Sequence, residues 1–111
     1  MNNLNSAIIE GVAGDVKYQE LSGKPFLSFI VGVNRSYKEG NDIKHYVSLF
    51  TVEAYGKLAE VCKSLANDAD VRVVGRLHQN RWEDKSGRKH SKVVLIAEHI
   101  EYVPGKNGGK A

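Results

Sequence analysis

Between Val71 and Trp82 the chain reads Val-Arg-Val-Val-Gly-Arg-Leu-His-Gln-Asn-Arg-Trp. Side chains alternate across an extended strand, so Val71, Val73, Gly75 and Leu77 are expected on a core face. Arg72, Arg76, His78, Asn80 and Trp82, the one tryptophan of the chain, then share the opposite face, with Arg81 next to the ring in sequence. Cations, hydrogen-bonding groups and an aromatic plane together suit a phosphate backbone that carries exposed bases. The expected chemistry is recognition of a single-stranded nucleic acid, with no bond broken.

Alternation between Val47 and Tyr55 points Phe50, Val52 and Ala54 inward and Leu49, Thr51, Glu53 and Tyr55 outward. Tyr55 either closes the end of its strand or offers a second aromatic plane, and Tyr37 opens a polar loop as a surface aromatic or a third plane. Lys85, Arg88 and Lys89 form a solvated loop tip or extend a cationic track, as Lys38 and Lys44 do beside the other loop. If these cations meet phosphates, binding must weaken steeply with salt.

Other chemistries find little support. His45, His78, His90 and His99 are scattered without the spacing of a zinc site, and no Gly-Lys-Ser/Thr phosphate loop occurs. No carboxylates pair as acid and base, and Cys62 falls on an apolar helix face as a small hydrophobe. No catalytic residue, metal or cofactor is expected.

The elements that must position these groups are short and mostly extended. Strands are expected over Asn5–Val12, with a continuation at Tyr18–Leu21, and over Pro25–Tyr37, Val47–Tyr55, Val71–Trp82 and Lys92–Val103. Lys38–Asp42 reads as an exposed loop tip, and Glu83–Lys89 as a hairpin loop closing at Ser86-Gly87. Leu58, Val61, Cys62 and Leu65 recur at helical spacing, which predicts one amphipathic helix over Lys57–Asn67. In the second strand Leu27, Phe29, Val31 and Val33 face inward, leaving Ser28, Ile30, Gly32 and Asn34 as a face of small or polar groups. Five strands with one helix between the third and fourth is the element order of the OB-fold, a Greek-key barrel whose outer face and loops bind oligomers.

A chain of 111 residues fits one domain, here residues 1–103, followed by a Gly- and Lys-rich segment 104–111 expected to be disordered. The net charge of +3 is too small to establish a nucleic-acid partner, so placement matters more. The single cysteine and the lack of a signal peptide or membrane span point to the cytoplasm and away from a membrane.

Tyr55-Gly56-Lys57-Leu58-Ala59-Glu60, Gly75-Arg76-Leu77 and Trp82-Glu83-Asp84-Lys85-Ser86-Gly87, with the opening Leu4-Asn5 and Gly11-Val12-Ala13-Gly14, resemble the bacterial single-stranded DNA-binding protein family. The likeness runs from about Leu4 to Val103. It implies an OB-fold that assembles as a homotetramer through its first strand, around Ser6–Glu10, and coats single-stranded DNA in replication, recombination and repair. It also implies aromatic stacking at Tyr37, Leu49, Tyr55 and Trp82, of which Leu49 is not aromatic, and a DNA path lined by Lys57, Arg76 and Arg81. Family members usually carry an acidic C-terminal tip that recruits other proteins; residues 104–111 are basic, so recruitment of that kind is not expected from them. Two rivals stand beside this reading: a dimeric, tailless replication-restart accessory protein of the same fold, and an OB module that binds RNA or protein.

Overall fold

Alternating apolar residues build the walls of a barrel. The structure, a computed structural model, describes residues 1–103, and the segment expected to be disordered, 104–111, lies outside the described residues. Its elements are β1 (Ala7–Leu21), β2 (Lys24–Glu39), β3 (Asp42–Tyr55), α1 (Gly56–Val61), β4 (Asp70–Glu83) and β5 (Lys89–Tyr102). They close in the order β1-β2-β3-β5-β4, with β4 returning to β1. This is the expected OB-fold, with one helix between the third and fourth strands. Leu27, Phe29 and Val31 of β2, Val52 and Ala54 of β3, and Val71 and Val73 of β4 fill the interior. Each of the larger apolar side chains stabilises the fold by about 1.5–3 kcal/mol through burial.

β1 is one strand of 15 residues where two pieces were expected. Gly11 and Gly14 bend it without ending it. Ala7–Val12 pairs with β4, Val12–Leu21 pairs with β2, and the register shifts between Gly14 and Lys17. At Gly11 a Cβ would stand 2.2 Å from the Gly32 carbonyl oxygen, so the two strands approach too closely for any side chain.

The loop expected at Lys38–Asp42 contracts to a two-residue turn, with β2 running to Glu39 and β3 starting at Asp42. Gly40 leads that turn with φ +63°, a conformation that glycine adopts without strain. β2–β3 and β4–β5 consequently run past the barrel as two-stranded ribbons, and the longest molecular dimension reaches 50 Å. On these ribbons two inward expectations fail. Leu77 keeps 50% of its surface and Phe50 keeps 43%, because no opposing wall covers them there.

The helix is also shorter than its periodicity suggests. α1 ends at Val61, which is exposed, and Leu65 enters the core from the turns that follow. Ser64, Asn67 and Asp68 favour turns over helix, and Asp68 adopts φ 72° as the chain returns to β1 through its N–H to the Ala13 carbonyl, 2.7 Å.

Candidate nucleic-acid interface

On the β4–β5 ribbon the cross-strand register fixes which side chains share a face. Arg76 stands opposite Ile96, His78 opposite Val94, Asn80 opposite Lys92 and Trp82 opposite His90. The four β4 residues therefore share a face as expected, and β5 adds Lys92 and His90 to it. The observed register centres the hairpin on Ser86, and counting outward from it gives these partners. Arg81 falls on the reverse face with Leu77 and Gln79, and its Nη2 donates to Gln79 Oε1 at 2.8 Å.

Trp82 is half exposed and stacks on His90, with ring centroids 5.4 Å apart and planes 18° apart. His90 Nε2 donates to Asp84 Oδ2 at 2.8 Å. The other oxygen, Asp84 Oδ1, accepts the Ser86 and Arg88 backbone N–H groups, both at 2.9 Å, and the Ser86 hydroxyl at 2.6 Å. Hydrogen bonds from His90, Ser86 and Arg88 hold the Asp84 carboxyl well below the usual carboxylate range. One aspartate thus ties the loop to the ring on which Trp82 rests. Lys85, Arg88 and Lys89 project from this braced loop, exposed and in no ion pair among the described residues.

On the outer face of β2–β3, Tyr55 stands opposite Phe26, Glu53 opposite Ser28, Thr51 opposite Ile30 and Leu49 opposite Gly32. The Tyr55 ring leans on Phe26 at 5.1 Å, and its hydroxyl donates to Glu53 Oε1 at 2.8 Å. Burial first, and then the hydrogen bond and charge of Glu53, push the Tyr55 phenol up to about 12. Glu53, the carboxylate on the face where phosphate was expected, therefore has a structural partner: it holds the ring. Thr51 and Lys92 line one shallow concavity of about 190 Å³ together with Ile30, Ser28 and Lys17. Through Lys92 the Tyr55–Glu53–Thr51 row becomes continuous with Asn80 and Trp82.

Tyr37 does not join that row. Its register partner is Lys44, so it lies on the face of the ribbon opposite to Tyr55. Lys57, in the first turn of α1, is exposed and 3.9 Å from Glu60.

Arg72 and Arg76 are occupied. The Arg72 guanidinium binds Glu10 Oε2 through Nε at 2.6 Å and Glu101 Oε1 through Nη1 at 2.7 Å. His99 Nε2 meets the other Glu101 oxygen at 2.8 Å. This network spans β1, β4 and β5 and raises the Arg72 pKa further through hydrogen bonding to Glu10. Arg76 reaches Glu98 at 3.3 Å. The sheet cations expected to meet phosphates are thus already paired, whereas the loop cations are not.

The model of the Single-strand binding protein family matches residues 4–103. The chain belongs to that family. Among single-strand binding proteins it is similar to the single-stranded DNA-binding protein of Aquifex aeolicus, 38% identical over 96% of this chain and 75% of the relative. The single-stranded DNA-binding protein of Treponema pallidum is 30% identical over 100% of this chain and 64% of its own length. Solved structures share the fold. A Plasmodium falciparum SSB in complex with ssDNA gives a TM-score of 0.81 at 18% identity, covering 93% of this chain and 97% of that one. The small single-stranded DNA-binding protein of Streptomyces coelicolor gives 0.70 at 26% identity, covering 93% and 96%.

Proposed function

We propose that this single-strand binding protein coats single-stranded DNA without strong sequence preference during replication, recombination and repair. The observation that carries the reading is the continuous surface of half-exposed Trp82 and Tyr55 joined through Asn80, Lys92 and Thr51, beside a loop of unpaired cations. Bases stack on Trp82 and Tyr55, and Lys85, Arg88, Lys89, Lys92 and Lys57 neutralise phosphates. His78, Asn80 and Thr51 supply hydrogen bonds along the path. Such binding forms and breaks no covalent bond.

Assembly as a homotetramer through β1 is part of the same proposal. The exposed Ile8 stands opposite Val74, and the paired side chains of Glu10, Arg72 and Glu101 lie beside them on that face. Among the described residues no helix is long and apolar enough to cross a membrane, and a DNA-coating role belongs in the cytoplasm.

Titration with oligo-dT at two salt concentrations tests the reading. Trp82 fluorescence should be quenched on binding, and Trp82→Ala should weaken affinity by roughly ten- to a hundredfold, the worth of one stacked base. Binding that neither quenches Trp82 nor responds to salt would overturn it. Light scattering checks the tetramer, and a dimer would favour the accessory-protein rival. Competition with RNA of equal length checks the nucleic acid.

A further inference from the structure

We propose that His90, stacked on Trp82 and anchored by Asp84, is a positioning residue that couples single-stranded DNA binding to the uptake of a proton by its imidazole. The inference rests on the single-strand DNA reading above and deepens it by adding a control of that same surface by pH.

The geometry fixes where the hydrogens of this imidazole sit. Trp82 and His90 stand directly opposite each other on β4 and β5, with ring centroids 5.4 Å apart and planes 18° apart. The same imidazole reaches Asp84 Oδ2 through Nε2 at 2.8 Å. Hydrogen bonds from His90, Ser86 and Arg88 keep the Asp84 carboxyl ionised. An ionised carboxylate only accepts, so Nε2 carries the hydrogen of the neutral ring. The nitrogen left to take a proton is Nδ1, which has no hydrogen-bond partner among the described residues. His90 and Asp84 keep 41% and 36% of their side-chain surface, so protons reach the pair from solvent.

A proton added at Nδ1 leaves the hydrogen bond to Asp84 in place, because Nε2 donates in both states. The ring stays where it is, the plane of Trp82 stays oriented, and only the charge changes. Histidine is the side chain whose ordinary charge change falls between about pH 5 and 8. With the ring neutral, Asp84 has no cationic partner among the described residues, and its negative charge stands beside Trp82 where a phosphate must pass. The imidazolium balances that charge and offers a charged N–H donor at Nδ1 to the phosphate. DNA that prefers the protonated form must draw a proton on binding, and a lower pH must tighten binding by the same linkage.

The surrounding charges favour that direction. On the same face Lys92 follows His90 along β5, and Asn80 and His78 follow Trp82 along β4. Lys85 and Arg88 belong to the loop between the strands, while Glu83 and Lys89 stand opposite each other on the reverse face. Arg76 and Glu98, farther down the ribbon, meet each other at 3.3 Å. Once Asp84 is balanced, the end of the ribbon that carries Trp82 presents cations to the strand.

Anisotropy of labelled oligo-dT in a salt series, at about pH 8 and about pH 5.5, spans the ordinary histidine range and tests the coupling. The parent should bind about two- to fivefold more tightly at the lower pH, the worth of one exposed charge contact. Its log–log salt slope should steepen there by about 0.7, for one added phosphate. His90→Phe keeps a ring against Trp82 but takes up no proton, so both differences should disappear. His78→Gln, which removes the other histidine of the face, should keep both. His90→Arg stacks and reaches Asp84 with a charge present at every pH, so its slope should be the steeper one at both. A parent whose affinity and slope ignore pH, a His90→Phe variant that responds as the parent does, or a shallow slope in His90→Arg at the higher pH would each overturn the proposal. Salt-dependent binding that is indifferent to pH leaves the DNA reading standing. Oligo-dT binding that ignores salt at both pH values means that the DNA reading itself has failed.

Discussion

Replacing Arg72 with alanine should leave the salt dependence of DNA binding unchanged, whereas replacing Arg88 and Lys89 together should reduce it. Arg72 is committed to Glu10 and Glu101 through contacts of 2.6 and 2.7 Å, so an arriving phosphate meets two carboxylates around one guanidinium. Arg88 and Lys89 are exposed, and neither is in an ion pair among the described residues. On a single strand each neutralised phosphate adds about 0.7 to the magnitude of the log–log salt slope, so losing two contacts should flatten the slope by about 1.4. Over a roughly fourfold rise in salt, the double variant should then lose about sevenfold less affinity than the parent. Oligo-dT titrations across a salt series read the slope directly through Trp82 fluorescence. Thermal unfolding should separately show Arg72→Ala to be less stable, since it leaves Glu10 and Glu101 without their shared cation. A slope flattened by about 0.7 in Arg72→Ala would place its guanidinium on a phosphate and refute the argument.

Glu53→Gln removes the charge beside Tyr55 but not the burial, so the phenol should titrate below its value of about 12 yet above the ordinary 10. Ultraviolet titration against Tyr55→Phe isolates that group, and an unmoved value would assign the whole shift to burial. Asp84 has a pKa lowered on folding, so its stabilisation of the loop is fully present above the ordinary carboxylate value of about 4. It is lost progressively as pH falls from there through the much lower folded value. Near-ultraviolet circular dichroism of Trp82 should stay constant from neutral pH down to about 4, and a transition at that point would contradict the braced loop. Gly75→Ala forces a Cβ to within 2.0 Å of the Ile96 carbonyl oxygen. Denaturant unfolding should show a loss of about 3 kcal/mol or more, beyond ordinary overpacking because a backbone atom must move.

The barrel was legible where burial on one face imposes strict alternation, as at Leu27, Phe29 and Val31 or at Val52 and Ala54. Alternation alone does not say where a wall stops being opposed, and so Leu77 and Phe50 look internal in sequence yet stand half exposed on the ribbons. Gly11 reads as the end of a strand because a glycine signals a stop and a close approach with the same letter. The aromatic face at Trp82 was visible, since its neighbours repeat with period two. What occupies Arg72 was not, because Glu10 and Glu101 lie 62 and 29 residues away and only closure of the sheet brings them together. The face on which Tyr37 lies was hidden for a related reason: its partner across the ribbon depends on the turn at Gly40, and reading that segment as an open loop hides the register.

The barrel is sealed between β3 and β5 by only two residue pairs, Val52 with Leu95 and Glu53 with Ile96. Those parallel contacts join parts of the chain that are distant in sequence, whereas β2 with β3 and β4 with β5 pair locally across short turns. While the seam is open, β3 and β5 each present a bare row of amide and carbonyl groups, the template on which another extended chain adds. Opening of that seam, more than a weakening of the hydrophobic interior, is therefore the event expected to expose this protein to edge-to-edge association.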